Sequence, residues 1–207
     1  MTKRNIELFS NTPDNTHCVQ ACLKMVFSHL NTPQQKLSVK QLDRPTHHIS
    51  GRFTGDTCTI LWLTSLGYKV IHYEPLDYVQ FALRGEKYLR QIWKPDYFKL
   101  QKEMSDLDLE RQNAKQLIDK KVELICGTPH IDYLTYQFGR GYACMISVNP
   151  YTLDDMAGVG SHMVVLTGYD REFVYFNDPG PVASKKKVKR ELFSKAIYSA
   201  TLIKRKV

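Results

Sequence analysis

The chain has 207 residues, 43% apolar and 24% charged, with a formal net charge of +8. That is enough apolar material for one domain with a sizeable core, and no repeat or low-complexity block interrupts it. No apolar run approaches the length of a membrane span, and residues 1–7 lack the apolar segment of a signal peptide, which predicts a cytoplasmic protein with no membrane partner.

Residues 1–10 form a short strand or arm that leads into the polar loop 10–16. Helix follows over 19–30, where Val19, Cys22, Leu23, Val26, Phe27 and Leu30 recur at helical spacing and give one apolar face. A short helix is expected over 37–42, a loop over 45–55, and a helix over 57–66 that stops at Gly67. Residues 68–73 alternate like a strand. From 77 to 121 the pattern is helical and charged, is broken by Pro95, and carries an aromatic stripe of Tyr78, Phe81, Tyr88 and Trp93 beside Leu89. Strands are expected over 122–126, 142–148, 162–169 and 173–177, with a short helix over 131–138. A closing helix over 191–197 and a last strand over 200–203 complete the chain. Helices first and an antiparallel sheet second define an α+β class.

Basic residues crowd the C-terminal part: Lys185, Lys186, Lys187, Lys189, Arg190, Lys204, Arg205 and Lys206. No recognition helix, zinc module or aromatic RNA-binding signature accompanies them, so they predict a solvated surface rather than a nucleic-acid site. Five cysteines, at 18, 22, 58, 126 and 144, show no CxxC spacing and fit reduced thiols better than a disulfide framework. Cys22, Cys58, Cys126 and Cys144 fall inside apolar periodic segments, where packing explains them. The spacing of His47, His48 and His130 fits no standard metal site, and neither a metal nor another cofactor is expected.

Cys18 stands apart. It lies at a loop-to-helix junction, where the macrodipole and free backbone N–H groups favour a thiolate. A base for it lies far downstream. The runs 162–169 and 173–178 flank the polar Asp170, Arg171 and Glu172 and form a hairpin; with the turn centred near Arg171, paired residues sum to about 342. His162 then faces the neighbourhood of Gly180, within about two residues of Asp178. A carboxylate there can hold one imidazole nitrogen and leave the other for the thiol. Gly158, Gly160 and Ser161 before the histidine leave room for an acyl group to approach.

These residues resemble a known family. His17-Cys18-Val19-Gln20-Ala21-Cys22-Leu23-Lys24-Met25-Val26 is similar to the nucleophile helix of the bacteriocin (double-glycine leader) peptidase group of papain-like cysteine peptidases. Gly160-Ser161-His162 with Gly168-Tyr169-Asp170, followed by Phe176-Asn177-Asp178-Pro179-Gly180, resembles that group's histidine strand and Asp-Pro segment. Residues 62–68, 77–81 and 85–89 resemble its cytosolic, stand-alone members. The likeness implies a papain-like fold over 1–207, with a helical lobe over 1–76, a helical insertion over 77–121 bordering the cleft, and a sheet lobe over 122–207. It also tips the choice of base-orienting residue to Asp178 over Asn177. Two departures stand out: Val19-Gln20 replaces the family's Gly-Pro, and Thr12 replaces the glutamine that helps hold the oxyanion, which leaves Asn11 or Asn15 as donor. The implied function is thiol-dependent acyl transfer, foremost hydrolysis of a peptide or isopeptide bond in a peptide or protein substrate. An amide-forming acyltransferase on the same triad and an inactive peptide-binding pseudo-peptidase are the alternatives.

Overall fold

The computed structural model describes residues 1–180 and 182–206. Its strands, in chain order, are β1 (Thr2–Lys3), β2 (Tyr68–Glu74), β3 (Glu123–Cys126), β4 (Ala143–Val148), β5 (His162–Tyr169), β6 (Phe173–Asp178), β7 (Ser184–Lys189) and β8 (Ile197–Arg205). They form one sheet in the order β3-β2-β8-β4-β5-β6-β7, with β1 laid against β5. All neighbours run antiparallel except β2 and β3, which are parallel. Parallel neighbours cannot be joined by a tight turn, and the connection between these two is the whole segment 77–121. The segment folds as four helices: α4 (Tyr78–Arg84), α5 (Glu86–Ile92), α6 (Pro95–Met104) and α7 (Leu107–Asp119). Asp77 and Asp106 cap α4 and α7 by accepting from backbone N–H groups. Pro95 does not break a helix but opens α6, where its missing N–H costs nothing.

Alternation along β4 and β5 feeds two cores on opposite faces of the sheet. Met145, Met163 and Val165 pack with helix α1 (Cys18–His29), through Cys22, Leu23, Val26 and Phe27. Cys144, Ile146, Val164 and Leu166 pack with α8 (Ile131–Gly139) and α10 (Arg190–Ala196), through Leu134, Phe138 and Phe193. Helix α3 (Asp56–Ser65) adds Ile60 and Leu63 to the α1 side and ends at Gly67, whose φ of +83° suits only glycine without strain.

Several expectations change. In place of the short helix expected over 37–42 there are two single 3-10 turns, Pro33–Lys36 and Lys40–Leu42, followed by α2 (Asp43–Thr46), which runs into the expected loop. The last strand is nine residues long and sits in the interior of the sheet between β2 and β4. The lysine run expected as a solvated surface is the edge strand β7, whose alternate residues Lys185, Lys187 and Lys189 face solvent and blunt an otherwise open edge. Cys126 is exposed at the end of β3 rather than packed. Gly158 and Gly160 serve a contact rather than an opening, since a Cβ there would meet Tyr151 and Pro150 of α9 (Pro150–Leu153).

Leu23, fully buried where α1 meets the sheet, is a test of this packing. Leu23→Ala should lower the free energy of unfolding by about 2–5 kcal/mol in urea melts. Val79→Ala, at a half-exposed position, should stay within about 0.5 kcal/mol.

Candidate active site

Cys18 is the first residue of α1, half-buried, with no acidic residue in the first turn. The loop before it is held by Asn11, whose Oδ1 accepts from the backbone N–H groups of Thr12 and His17, both at 2.8 Å. His17 is buried and braced by Asp43, 3.2 Å from its Nε2. The nucleophile candidate thus sits on a fixed turn although the Gly-Pro of its relatives is absent.

His162 opens β5 and Asp178 closes β6. The expected pairing sum of about 342 holds for Val165 with Asn177 and for Leu166 with Phe176, and shifts by one at a bulge before Gly168, away from the site. His162 Nε2 and Asp178 Oδ1 stand 2.6 Å apart. That leaves Nδ1 as the nitrogen for Cys18, which lines the same cleft and is near enough to raise the imidazole. Asp178 is fixed from two more sides: the Gly180 N–H donates to Oδ1 and Lys186 Nζ to Oδ2, both at 2.8 Å. Lys186 belongs to the run expected as surface charge; its place beside Asp178 depends on β7 pairing with β6, a strand that a lysine run does not announce.

Burial works against an imidazolium at His162, but hydrogen bonds to Asp178 and to Cys18 outweigh it and raise the group to about 9. Burial likewise opposes the Asp178 carboxylate, and the bonds from His162 and Lys186 overcome it, holding this group well below the usual carboxylate range. The buried thiols go the other way: burial pushes Cys58 up to about 11 and Cys144 up to about 12.

Asn177 points elsewhere. It is 1% exposed and its Nδ2 donates to the carbonyls of Ile6 and Glu7, at 3.0 and 3.3 Å, so it ties down the N-terminal arm. The two oxyanion candidates also separate. Asn11 uses its amide inside the loop, donating Nδ2 to Asn15 Oδ1 at 2.8 Å. Asn15, held at φ 57°, lines the cleft with Cys18, and that bond engages only its Oδ1, which leaves its amide N–H2 as the donor it has to offer. Thr12 is bonded to Asp14 and His17, both at 2.6 Å.

Cys18, His162 and Asp178 open into a cleft of about 880 Å³. One wall comes from the segment 77–121, through Tyr78, Phe81, Trp93, Tyr97 and Glu110, so part of the aromatic stripe is core and part is wall. Among the described residues no cluster of His, Cys, Asp and Glu is arranged to hold a metal, and no helix is long and apolar enough to cross a membrane.

A thiol at a helix start, facing a histidine and a carboxylate on one antiparallel hairpin, defines the class of papain-like cysteine peptidase folds. Within that class the chain belongs to the Peptidase_C39 like family, whose pattern matches residues 3–202, and it is a cysteine peptidase-like hydrolase. Three solved structures are similar to it. The peptidase domain of Streptococcus ComA, a bi-functional ABC transporter involved in a quorum sensing pathway, has a TM-score of 0.56 at 12% identity, over 98% of this chain and 100% of that one. A double glycine motif protease from an AMS/PCAT transporter, solved in complex with the leader peptide, has 0.52 at 14%, over 99% and 94%. A C39-like protein from Bacillus anthracis has 0.54 at 16%, over all of both chains. At these identities the likeness is one of fold. Among curated proteins none matches this chain.

With the His162 value raised to about 9, the imidazolium should persist through neutral pH. The ring C–H resonances of His162, followed by NMR, should titrate with a midpoint near that value. Asp178→Asn and Cys18→Ser should each lower the midpoint. Asn177→Ala should instead leave it in place while costing about 1–3 kcal/mol of stability, from the carbonyls it abandons.

Proposed function

We propose that the chain hydrolyses a peptide or isopeptide bond with Cys18 as nucleophile, His162 as general base and acid, and Asp178 as the group that orients the imidazole. The observation that carries this reading is His162 bonded to Asp178 at 2.6 Å, with Cys18 beside it on the same cleft. In the first half-reaction Cys18 Sγ attacks the carbonyl carbon, the C–N bond breaks, and the proton on His162 Nδ1 leaves with the amine. Water then gives a proton to the same nitrogen as its oxygen attacks the thioester carbon, and the C–S bond breaks to release the acid product and restore the Cys18 thiolate beside the His162 imidazolium. The Cys18 backbone N–H and Asn15 Nδ2 are the donors for the oxyanion; Asn11 supports Asn15 rather than meeting the substrate. No step calls for a metal. Residues 1–207 act as one unit, with 77–121 walling the cleft rather than forming a separate domain. Four further free thiols suit work in a reducing compartment such as the cytoplasm.

The substrate is a peptide or protein; a protease of similar fold solved in complex with the leader peptide supports a peptide as the ligand. A catalytically inactive binding domain has no need of a histidine clamped between a thiol and a carboxylate, and that clamp favours an enzyme.

Iodoacetamide at pH 6, read by mass spectrometry, should alkylate the half-buried Cys18 faster than the exposed Cys126, and much faster than Cys58. Equal rates at Cys18 and Cys126 would remove the nucleophile assignment. On a peptide that the protein cleaves, Cys18→Ala and His162→Ala should abolish turnover, and Asp178→Ala should lower it by about 100-fold or more. Asn15→Ala should cost about 100- to 1000-fold in kcat, as loss of one oxyanion donor does.

A further inference from the structure

The far end of the cleft holds three carboxylates that the Cys18 chemistry does not use. Asp56 begins α3, Glu74 ends β2 and Glu110 lies in α7, and all three line the cleft. Among the described residues no lysine or arginine forms an ion pair with any of them; the basic partner of Asp56 and Glu74 is His72 alone. Burial raises Asp56 to about 6, with His72 opposing and Glu74 adding to the rise. Burial also raises Glu110 to about 8, against the Thr57 N–H that donates to it at 3.2 Å and with Asp56 and Glu74 adding. The group is short of positive charge.

His72 does not complete it. The ring is 0% exposed, its Nδ1 is engaged with the Thr201 hydroxyl at 3.0 Å, and its Nε2 has no hydrogen-bond partner. That nitrogen is aimed between the carboxylates, 3.6 Å from Glu74 and 4.0 Å from Asp56, too far for a hydrogen bond to either. Aromatic rings close the other sides. Tyr78 donates its hydroxyl to Glu74 at 2.7 Å, Trp93 meets Tyr97 edge-on at 5.1 Å, and Tyr97 lies 5.8 Å from Tyr198. Carboxylates in an aromatic box recognise an alkylammonium or guanidinium group, by charge and by the ring faces.

Strand register gives the distance from the reacting centre. One step beyond the Tyr73–Ala200 pair, Glu74 stands opposite Ser199; Ser199 pairs with Ser147, and Ser147 with Met163, the neighbour of His162. Three strand spacings are about 14 Å, the reach of about four extended residues. The row shares a face with Met145 and Val165, the face on which α1 packs, and Ser147 and Ser199 line the cleft between its two ends.

We propose that Asp56, Glu74 and Glu110 form a specificity subsite that takes a lysine or arginine side chain of the substrate, about four residues from the scissile bond. The subsite rests on the cysteine-peptidase reading for the nature of its ligand, a peptide; its own chemistry is independent of catalysis. The cation enters between Asp56 and Glu74, adds positive charge among the three carboxylates, and allows Glu110 to release its proton.

A library of N-acetylated peptides, each with lysine, norleucine or glutamate at one position in turn, tests this on the full chain. Lysine about four residues from the cut should raise kcat/KM about 10-fold or more over norleucine, through KM, and glutamate should lower it. Asp56→Asn with Glu74→Gln should bring lysine and norleucine within about 2-fold of each other. Equal rates for lysine and norleucine in the wild type, or a preference that survives both substitutions, would overturn the subsite. The wild-type comparison needs no variant, so it stands even where the double variant fails to fold. If no peptide is cleaved, the hydrolase reading fails and the subsite is read separately, with agmatine titrated calorimetrically into the Cys18→Ala protein. Saturable binding that Glu74→Gln weakens about 10-fold supports it; no saturable binding overturns it.

Discussion

Strand β5 is the constraint on which the rest of the molecule hangs. It pairs with β4 on one side and β6 on the other, carries β1 across its far end, and packs under α1. Its alternate residues feed the two cores, Met163 and Val165 to one and Val164 and Leu166 to the other. A one-residue slip would exchange those sets and turn His162 away from Asp178, so the apolar cost of the slip protects the site. The bulge before Gly168 absorbs the irregularity at the opposite end, where a Cβ on Gly168 would meet the Thr2 carbonyl oxygen at 2.7 Å. The glycine there admits the N-terminal arm, and the arm in turn is held by Asn177, next in sequence to the residue that orients the histidine.

The two ends of the cleft carry opposite electrostatic logic. At the His162 end every charge is answered: Asp178 lies between an imidazolium and Lys186. His162, raised to about 9, contributes stability that is fully present below the unfolded value of about 6.5 and is lost as pH rises through 9. Asp178, lowered, contributes above about 3.9 and loses that contribution in acid. At the Glu74 end the raised carboxylates do the reverse: Asp56 and Glu110 cost stability as pH rises from about 4 through their folded values. Deficits of this kind mark places where a partner supplies the missing charge.

Much of this was legible from the residues because the signals were strong. The apolar spacing from Val19 to Phe27 fixed the helix, and the turn residues Asp170 to Glu172 fixed the hairpin register that is observed at Val165 and Leu166. What was not legible depended on long-range pairing. The run from Ser184 to Lys189, one serine followed by four lysines around a valine, carries no periodic apolar signal; it is a strand because β6 offers it an edge. Lys186 therefore escaped notice as a partner of Asp178. The bond from Asn11 Nδ2 to Asn15 Oδ1, which separates the two asparagines in their surroundings, is one that spacing cannot encode. Asp56, Glu74 and Glu110 lie far apart in the chain and meet only because α3, β2 and α7 converge at one end of the cleft.

The helical segment 77–121 shows how topology and specificity are linked. Because β2 and β3 are parallel, the chain must cross from one end of the sheet to the other between them, and a crossover has to lie over a face. In this molecule it lies over the face of the sheet that carries α1, with α7 against α3 and with Phe81, Leu89, Phe98 and Leu117 in the core shared with α1, so it becomes the wall of the cleft. The hairpin that carries His162 and Asp178 and the wall are then built from different parts of the chain, joined through the strands β8 and β4. The residues of α4 to α7 that line the cleft stand apart from the β5–β6 pairing that holds His162 and Asp178. One hairpin and one helix start bring Cys18, His162 and Asp178 together, while the crossover that walls the cleft also fills the core, through Phe81, Leu89, Phe98 and Leu117.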